Sequence, residues 1–339
     1  MLAYQNTFSQ NKVFISKVDS IVKQYVKKNN YIGVSIGFSC DSVRFTRNYG
    51  LSNVDKNIKV DSLTKFEIGS NSKLFVGLIA YDLVQKNKLK LNDTVGKYLT
   101  GLPNSVAKIR IDELLTHTSG LKSNPSNLLK YDDPTKEYTI SLFDSYLKSI
   151  NKVKRKGRYR YSNSGVILLS LVLEKITNQS IEKLLNDILN SFDMNNSDCK
   201  KYYNINNLAK GYSKKNKPTV NWQFNAFLPA GGVHATANDM SVFIEHFNNL
   251  NFKEISIPMY IDKKHKISYL FHLKNLSNGK FALFHSGNTS GFYSYIIMIP
   301  SLKVGVVVMV NKNENCVDLG VDLLNILIKN KKTLCTKKS

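Results

Sequence analysis

Strand-like patterns sit near the two ends of this chain, and helical patterns fill its middle. Residues 31–38 and 42–49 read as short strands joined by a tight turn near Cys40 and Asp41. β-rich stretches return only at 281–285, 292–299 and 304–310, close enough in sequence to form antiparallel hairpins. Between them, apolar residues recur at helical spacing over 70–85, 141–150, 165–177 and 181–191, and two more such helices flank the strands at 12–28 and 317–329. Strands separated this widely must meet in one sheet if either group is to bury a face. The expected fold class is therefore α+β: an antiparallel sheet flanked by helices, with an all-helical domain inserted. The expected units are a discontinuous sheet domain (11–88 with 213–330), a helical domain (89–212) and a basic tail (331–339), Lys-rich from Lys329 on and expected to be frayed and solvated. A cleft between two such lobes is a usual place for a site.

With 339 residues, 42% of them hydrophobic and 11% aromatic, the chain has the material for a large core. Its formal net charge of +23 raises the question of a polyanionic partner. Lys far outnumbers Arg, Asn and Ile are frequent, and no nucleic-acid-binding signature is present, so nucleic acid is not an expected partner. The run Lys152, Lys154, Arg155, Lys156, Arg158, Arg160 reads first as a solvated loop, and second as a positive rim that would attract an anionic substrate. The four cysteines, Cys40, Cys199, Cys316 and Cys335, lie far apart without metal-ligand spacing, so free structural thiols and no metal site are expected. The first residues lack a basic-then-apolar leader pattern, and no apolar run is long enough to span a bilayer. A cytoplasmic protein is the expectation for the chain as written, and an exported one if the start shown is incomplete.

Three short motifs carry chemistry. Ser70 and Lys73 stand at i and i+3, so one helix face brings hydroxyl and amine together, and Ser70 opens the helix, where dipole and backbone N–H favour an oxyanion. The same Ser-x-x-Lys spacing occurs at Ser9/Lys12, Ser105/Lys108 and Ser180/Lys183, where a solvated face is the better reading. Only Ser70 follows a β-like segment ending in Gly69 and begins a long apolar helix. Tyr161-Ser162-Asn163 lies at the mouth of the 165–177 helix. A phenol beside an ammonium can ionise and relay a proton, and an Asn can hold a substrate amide. Tyr-x-Asn also recurs at Tyr4-Gln5-Asn6 and Tyr202-Tyr203-Asn204. His285-Ser286-Gly287 ends a strand, where the Gly lets substrate backbone approach and the N–H of Asn288 can join that of Ser70 as an oxyanion donor.

In this order and with these gaps, Ser70-x-x-Lys73, Tyr161-x-Asn163 and His285-x-Gly287 resemble the three motifs of class C serine β-lactamases and the related DD-peptidases and esterases. The segment from Leu114 to Leu121 (LLTHTSGL), Pro229-Ala230-Gly231-Gly232 with Thr236 to Met240, and His285 through Asn311 are similar to further segments of that family, so the resemblance runs from about Val13 to Lys329. It implies a β-lactamase/transpeptidase-like fold, Ser70 as nucleophile, Lys73 and Tyr161 as the proton-transfer pair, Asn163 as an amide contact, and His285 and Ser286 on the substrate-docking strand. It implies no metal or cofactor. His117 in the LLTHTSGL segment is expected to orient backbone more than to touch substrate. Class C enzymes carry Lys where this chain has His285, and a part-time cation grips a substrate carboxylate less firmly. The expected activity is that of a D-amino-acid peptidase or related amidase acting on a small-molecule or peptide substrate with a D-amino-acid amide or ester. A carboxylesterase, an acyltransferase or a weak β-lactamase stands as the alternative. A non-catalytic peptidoglycan- or ligand-binding relative is the rival from another class.

Overall fold

The separated strands do meet. In a computed structural model, which describes residues 12–128, 134–200, 207–250, 252–276 and 279–335, β1 (Gly33–Cys40), β2 (Val43–Asn53) and β3 (Ile58–Lys59) come from the first part of the chain. Strands β7 (Tyr260–Ile261), β8 (Lys266–Ser268), β9 (Phe271–Asn275), β10 (Phe281–Asn288), β11 (Tyr293–Ile299) and β12 (Val304–Val310) come from the last. They form one nine-stranded sheet in the order β3-β2-β1-β12-β11-β10-β9-β8-β7. The seam is the antiparallel β1–β12 pair, in register from Val34↔Val310 to Cys40↔Val304. A small second sheet pairs β4 (Phe66–Glu67), β6 (Val233–Ala235) and β5 (Asp198–Cys199) in the order β4-β6-β5.

Strand β12, VGVVVMV, is buried along its whole length because both sheet faces are covered. Its even positions, Val304, Val306, Val308 and Val310, pack into one cluster with Phe14, Val18 and Val22 of α1 (Lys12–Asn29). Helix α8 (Val317–Lys329) completes that layer with Leu319, Leu323 and Leu327. Val307 and Met309 face the opposite cluster, which includes Phe243 and Met240 of α7 (Ala237–Asn249). Helix α7 lies close on the sheet: a Cβ at Gly37 would sit 2.3 Å from the Ala237 carbonyl oxygen. That second cluster continues without a break into α2 (Ser72–Gln85), α3 (Ile111–Leu115), α4 (Ile140–Lys148), α5 (Asn163–Thr177) and α6 (Ile181–Ser191). Side-chain oxygens of Thr139, Ser162, Ser180 and Thr236 cap α4, α5, α6 and α7, which fixes where each begins. No described helix is long and apolar enough to cross a membrane.

Two expectations are corrected. Cys40 and Cys335 form a disulfide, leaving Cys199 and Cys316 as buried thiols. The 331–339 tail is also not a solvated fringe over its described part: α9 (Lys331–Cys335) buries Leu334 against the outer layer, and Lys331 pairs with Asp41 at 3.1 Å. Chain spacing gave no hint of this, because the two cysteines are 295 residues apart and only the β1–β12 seam makes their segments neighbours. The first residues, the Tyr4 and Tyr202 tripeptides and residues 336–339 lie outside the described residues. A cross-link over so long a loop removes much denatured-state entropy. Cys335→Ser is therefore expected to lower stability by about 2–4 kcal/mol and the melting temperature by roughly 5–10 °C in non-reducing buffer, an offset that reductant abolishes. Equal melting of both proteins without reductant would show that the bond does not hold the fold.

Candidate active site

The chain from Phe66 to Lys73 is held on three sides. Ile68 N–H donates to the Val233 carbonyl at 3.2 Å, so β6 of the small sheet fixes the approach. The Ser72 hydroxyl donates to the Gly69 carbonyl at 2.7 Å and accepts from Val233 N–H at 3.0 Å. From the main sheet, the Ser294 hydroxyl donates to the Ile68 carbonyl at 2.8 Å and accepts from the Asn71 amide at 2.7 Å. Gly69 adopts φ +50°, and a Cβ there would meet Asn288 N at 2.9 Å, so only glycine allows β10 to close on the turn. Gly287 is as tightly placed, since a Cβ on it would lie 2.0 Å from the Ile68 carbonyl oxygen and 2.7 Å from Ser70 N. The result is a short 3-10 turn, Gly69–Asn71, feeding α2, with Ser70 beside the end of β10.

Lys73 is fully buried on α2, its Nζ 2.9 Å from Ser70 Oγ and 2.5 Å from the Ala230 carbonyl oxygen. Burial pushes its amine well below the ordinary lysine range. The ring of Tyr161 lies under the same nitrogen, 5.1 Å from centroid to Nζ. Burial raises the Tyr161 phenol, while a hydrogen bond with Ser70 acts in the opposite direction. Burial thus disfavours both the ammonium and the phenolate in a pair that converges on one hydroxyl. Of the two arrangements open from the sequence, a lysine that gives up its proton and a phenol that ionises beside an ammonium, burial disfavours the second.

Ser162, between the two motif residues, caps α5 by accepting from Gly165 N–H at 2.9 Å. This sets Asn163 on the first turn, where its amide nitrogen donates to Asn124 Oδ1 at 2.8 Å and its own Oδ1 has no partner among the described residues. Asn163, Ser70, Tyr161 and Asn288 share a cleft of about 350 Å³. Asn124 and Thr135 line it too, and its apolar wall is Leu128, Trp222, Phe224 and Phe227. No Lys, Arg, Asp or Glu lines it among the described residues.

The β10 motif is distributed unevenly. His285 is buried on the inner face behind Tyr161, ring centroids 6.1 Å apart, and burial with His272 and Lys73 nearby drives its imidazole well below the usual histidine range. Ser286 points to the other face, where it hydrogen-bonds Tyr293, as the two-residue period of a strand requires. Of the four motif positions, only Asn288 lines the cleft. The basic run at 152–158 is solvent-exposed and outside the cleft lining, with Lys156 engaged by Glu113 at 3.2 Å. Sequence reasoning missed the Ala230 carbonyl, Asn124 and the aromatic wall. A main-chain oxygen leaves no side-chain signal, and Asn124 and Trp222 reach the cleft from loops without periodicity.

A family model described as Beta-lactamase matches residues 18–331. Protein flp of Staphylococcus aureus (strain COL) is 28% identical over 95% of this chain and 68% of its own length. A beta-lactamase of Providencia stuartii is 27% identical over 91% of this chain and 94% of its own. Among solved structures, a class C beta-lactamase superposes with TM-score 0.83 at 22% identity, covering 96% of this chain and 97% of that one. The D-alanine carboxypeptidase AmpC from Burkholderia cenocepacia superposes with TM-score 0.78 at 20% identity, covering 94% and 99%. With its antiparallel sheet, its flanking helices and its matched residues, the chain belongs to the beta-lactamase family of penicillin-recognising serine hydrolases.

Proposed function

We propose that this serine hydrolase works through an acyl-enzyme on Ser70 and acts as a D-amino-acid peptidase or related amidase. The observation that carries the reading is a buried amine with no carboxylate among the causes of its lowered pKa, 2.9 Å from the Ser70 hydroxyl. A neutral Lys73 takes the Ser70 proton as Oγ bonds to the substrate carbonyl carbon, and the carbonyl π-electrons move onto oxygen. Backbone N–H groups of Ser70 and Asn288 face that oxyanion. The ammonium so formed is stabilised by the Ala230 carbonyl and by the Tyr161 ring face. Tyr161, still a phenol, gives its proton to the leaving nitrogen or oxygen as the scissile bond breaks, and Lys73 restores that proton. Water then attacks the ester, its proton leaving through the same pair, and Ser70 departs with a proton. Asn163, through its unpartnered Oδ1, accepts from a substrate amide N–H.

A second reading, a carboxylesterase, is favoured by a partly aromatic cleft that no charged side chain lines among the described residues, together with a neutral His285, which offers a substrate carboxylate no cation. Slow acylation by penicillins fits both. The Cys40–Cys335 disulfide supports work in an oxidising compartment over the reducing cytoplasm expected from the sequence. Steady-state rates on an acyl-D-alanyl-D-alanine peptide, on its C-terminal amide and on an apolar nitrophenyl ester test the choice. The peptidase reading expects Ser70-dependent release of D-alanine from the peptide. An ester kcat/KM exceeding the peptide value by more than about a hundredfold would move the assignment to an esterase.

A further inference from the structure

We infer that His117 is a positioning residue for Tyr161, holding the phenol in place by gripping the backbone on both sides of it; the inference rests on the acyl-enzyme reading above. The grip is made by one residue through two atoms. The His117 carbonyl accepts from Arg160 N–H at 2.7 Å, and its ring Nδ1 accepts from Ser162 N–H at 3.3 Å. Residues 160 and 162 are the two neighbours of Tyr161, so the phenol-bearing residue is bracketed. The His117 ring lies against the Tyr161 ring, centroids 4.5 Å apart. One residue on, the Thr118 carbonyl accepts from Gly157 N–H at 2.8 Å, which extends the seam between the two segments.

The backbone conformation fits a positioning role. His117 adopts φ +58°, a left-handed conformation uncommon for a non-glycine residue and of the kind that clusters at functional sites. That conformation turns the carbonyl and the ring toward the same partner strand of chain. The acceptor role also requires an unprotonated Nδ1. Burial, with His272 and Lys73 nearby, keeps the imidazole neutral, and the proton then sits on Nε2, which has no partner among the described residues. No substrate contact is needed for this role: His117 is 1% exposed and does not line the cleft.

The test compares His117→Asn with His117→Gly. Both side chains tolerate the left-handed conformation and both vacate the ring's space, but only Asn places an acceptor near the position of Nδ1. Two readouts are taken: the rate of Ser70 acylation by an activated ester, and the rate at which trypsin cuts the Lys- and Arg-rich segment at 152–160, mapped by mass spectrometry. His117→Gly is expected to acylate about ten- to a hundredfold more slowly, with the loss in kcat and not KM, because the proton donor is misplaced while the cleft wall stays. It is expected to be cut about five- to tenfold faster in that segment, as loss of a buried hydrogen bond shifts local opening. His117→Asn is expected to stay within about threefold of wild type in both, as the retained acceptor requires. Gly and Asn variants that match one another in both readouts would overturn the inference. Wild-type protein that shows no Ser70-dependent acylation would refute the underlying reading instead, and the tryptic comparison alone would then decide whether His117 holds the segment.

Discussion

Ser70→Ala is expected to abolish covalent labelling by a fluorescent penicillin and by an activated ester, and to cut turnover by roughly 10⁴–10⁶-fold while leaving the fold intact. The expectation follows from what surrounds the hydroxyl. The Lys73 amine at 2.9 Å and a phenol in hydrogen-bonding contact both address Ser70 Oγ. Removing the oxygen leaves Lys73 still bound to the Ala230 carbonyl and the turn still pinned by Ser72, Asn71 and Ser294, so the variant keeps its melting temperature. Intact-mass measurement of both proteins with both probes decides the matter. An adduct of equal yield on the Ala variant would place the reactive group elsewhere and remove the basis of the mechanism.

Lys73→Met is expected to lose about 10³–10⁴-fold in the acylation rate, within the range assigned to a general base that also activates its nucleophile. Lys73→Arg is expected to fare no better, because a guanidinium stays protonated throughout the accessible pH range. In the wild type, the active form carries an unprotonated amine, so the rate falls as pH drops through the lowered Lys73 pKa. The same residue leaves a mark on stability. Its folded-state pKa lies below the unfolded one, so between the two values the unfolded chain binds more protons and stability rises with pH up to the ordinary lysine value of about 10.4. The Met variant should lose that slope as well as the activity. A Met variant retaining more than about a tenth of the wild-type rate would exclude Lys73 as the base.

What the sequence made legible follows from how each signal is encoded. Ser70 and Lys73 meet through the i,i+3 geometry of one helical turn, and Tyr161 and Asn163 straddle a cap written locally as Ser162 to Gly165, so both were readable. The sheet was readable in outline because β12 is a nearly continuous apolar run and β1 alternates Val34, Ile36, Phe38 and Cys40 with Ser and Gly, whereas β7 and β8 are two and three residues long and leave no pattern. The motif letters put Ser286 on the substrate-docking strand but say nothing of its face, and strand alternation sends adjacent side chains to opposite faces. The raised pKa of Tyr161 was out of reach, because it comes from burial that no local pattern encodes. The Cys40–Cys335 pair failed for a related reason, since proximity across the β1–β12 seam is not a property of either cysteine's neighbourhood.

That bond also turns the molecule into a covalent ring. Every residue from Cys40 to Cys335, including Ser70, Lys73, Tyr161 and all of β10, lies on a closed loop, while α1 and β1 up to Ser39 precede it in the chain and pack against it. One proteolytic cut anywhere inside the loop opens the ring without dividing the molecule. A nicked enzyme would therefore run as a single species until reductant is added, and its two halves would stay at each other's effective concentration, free to re-dock across the sheet.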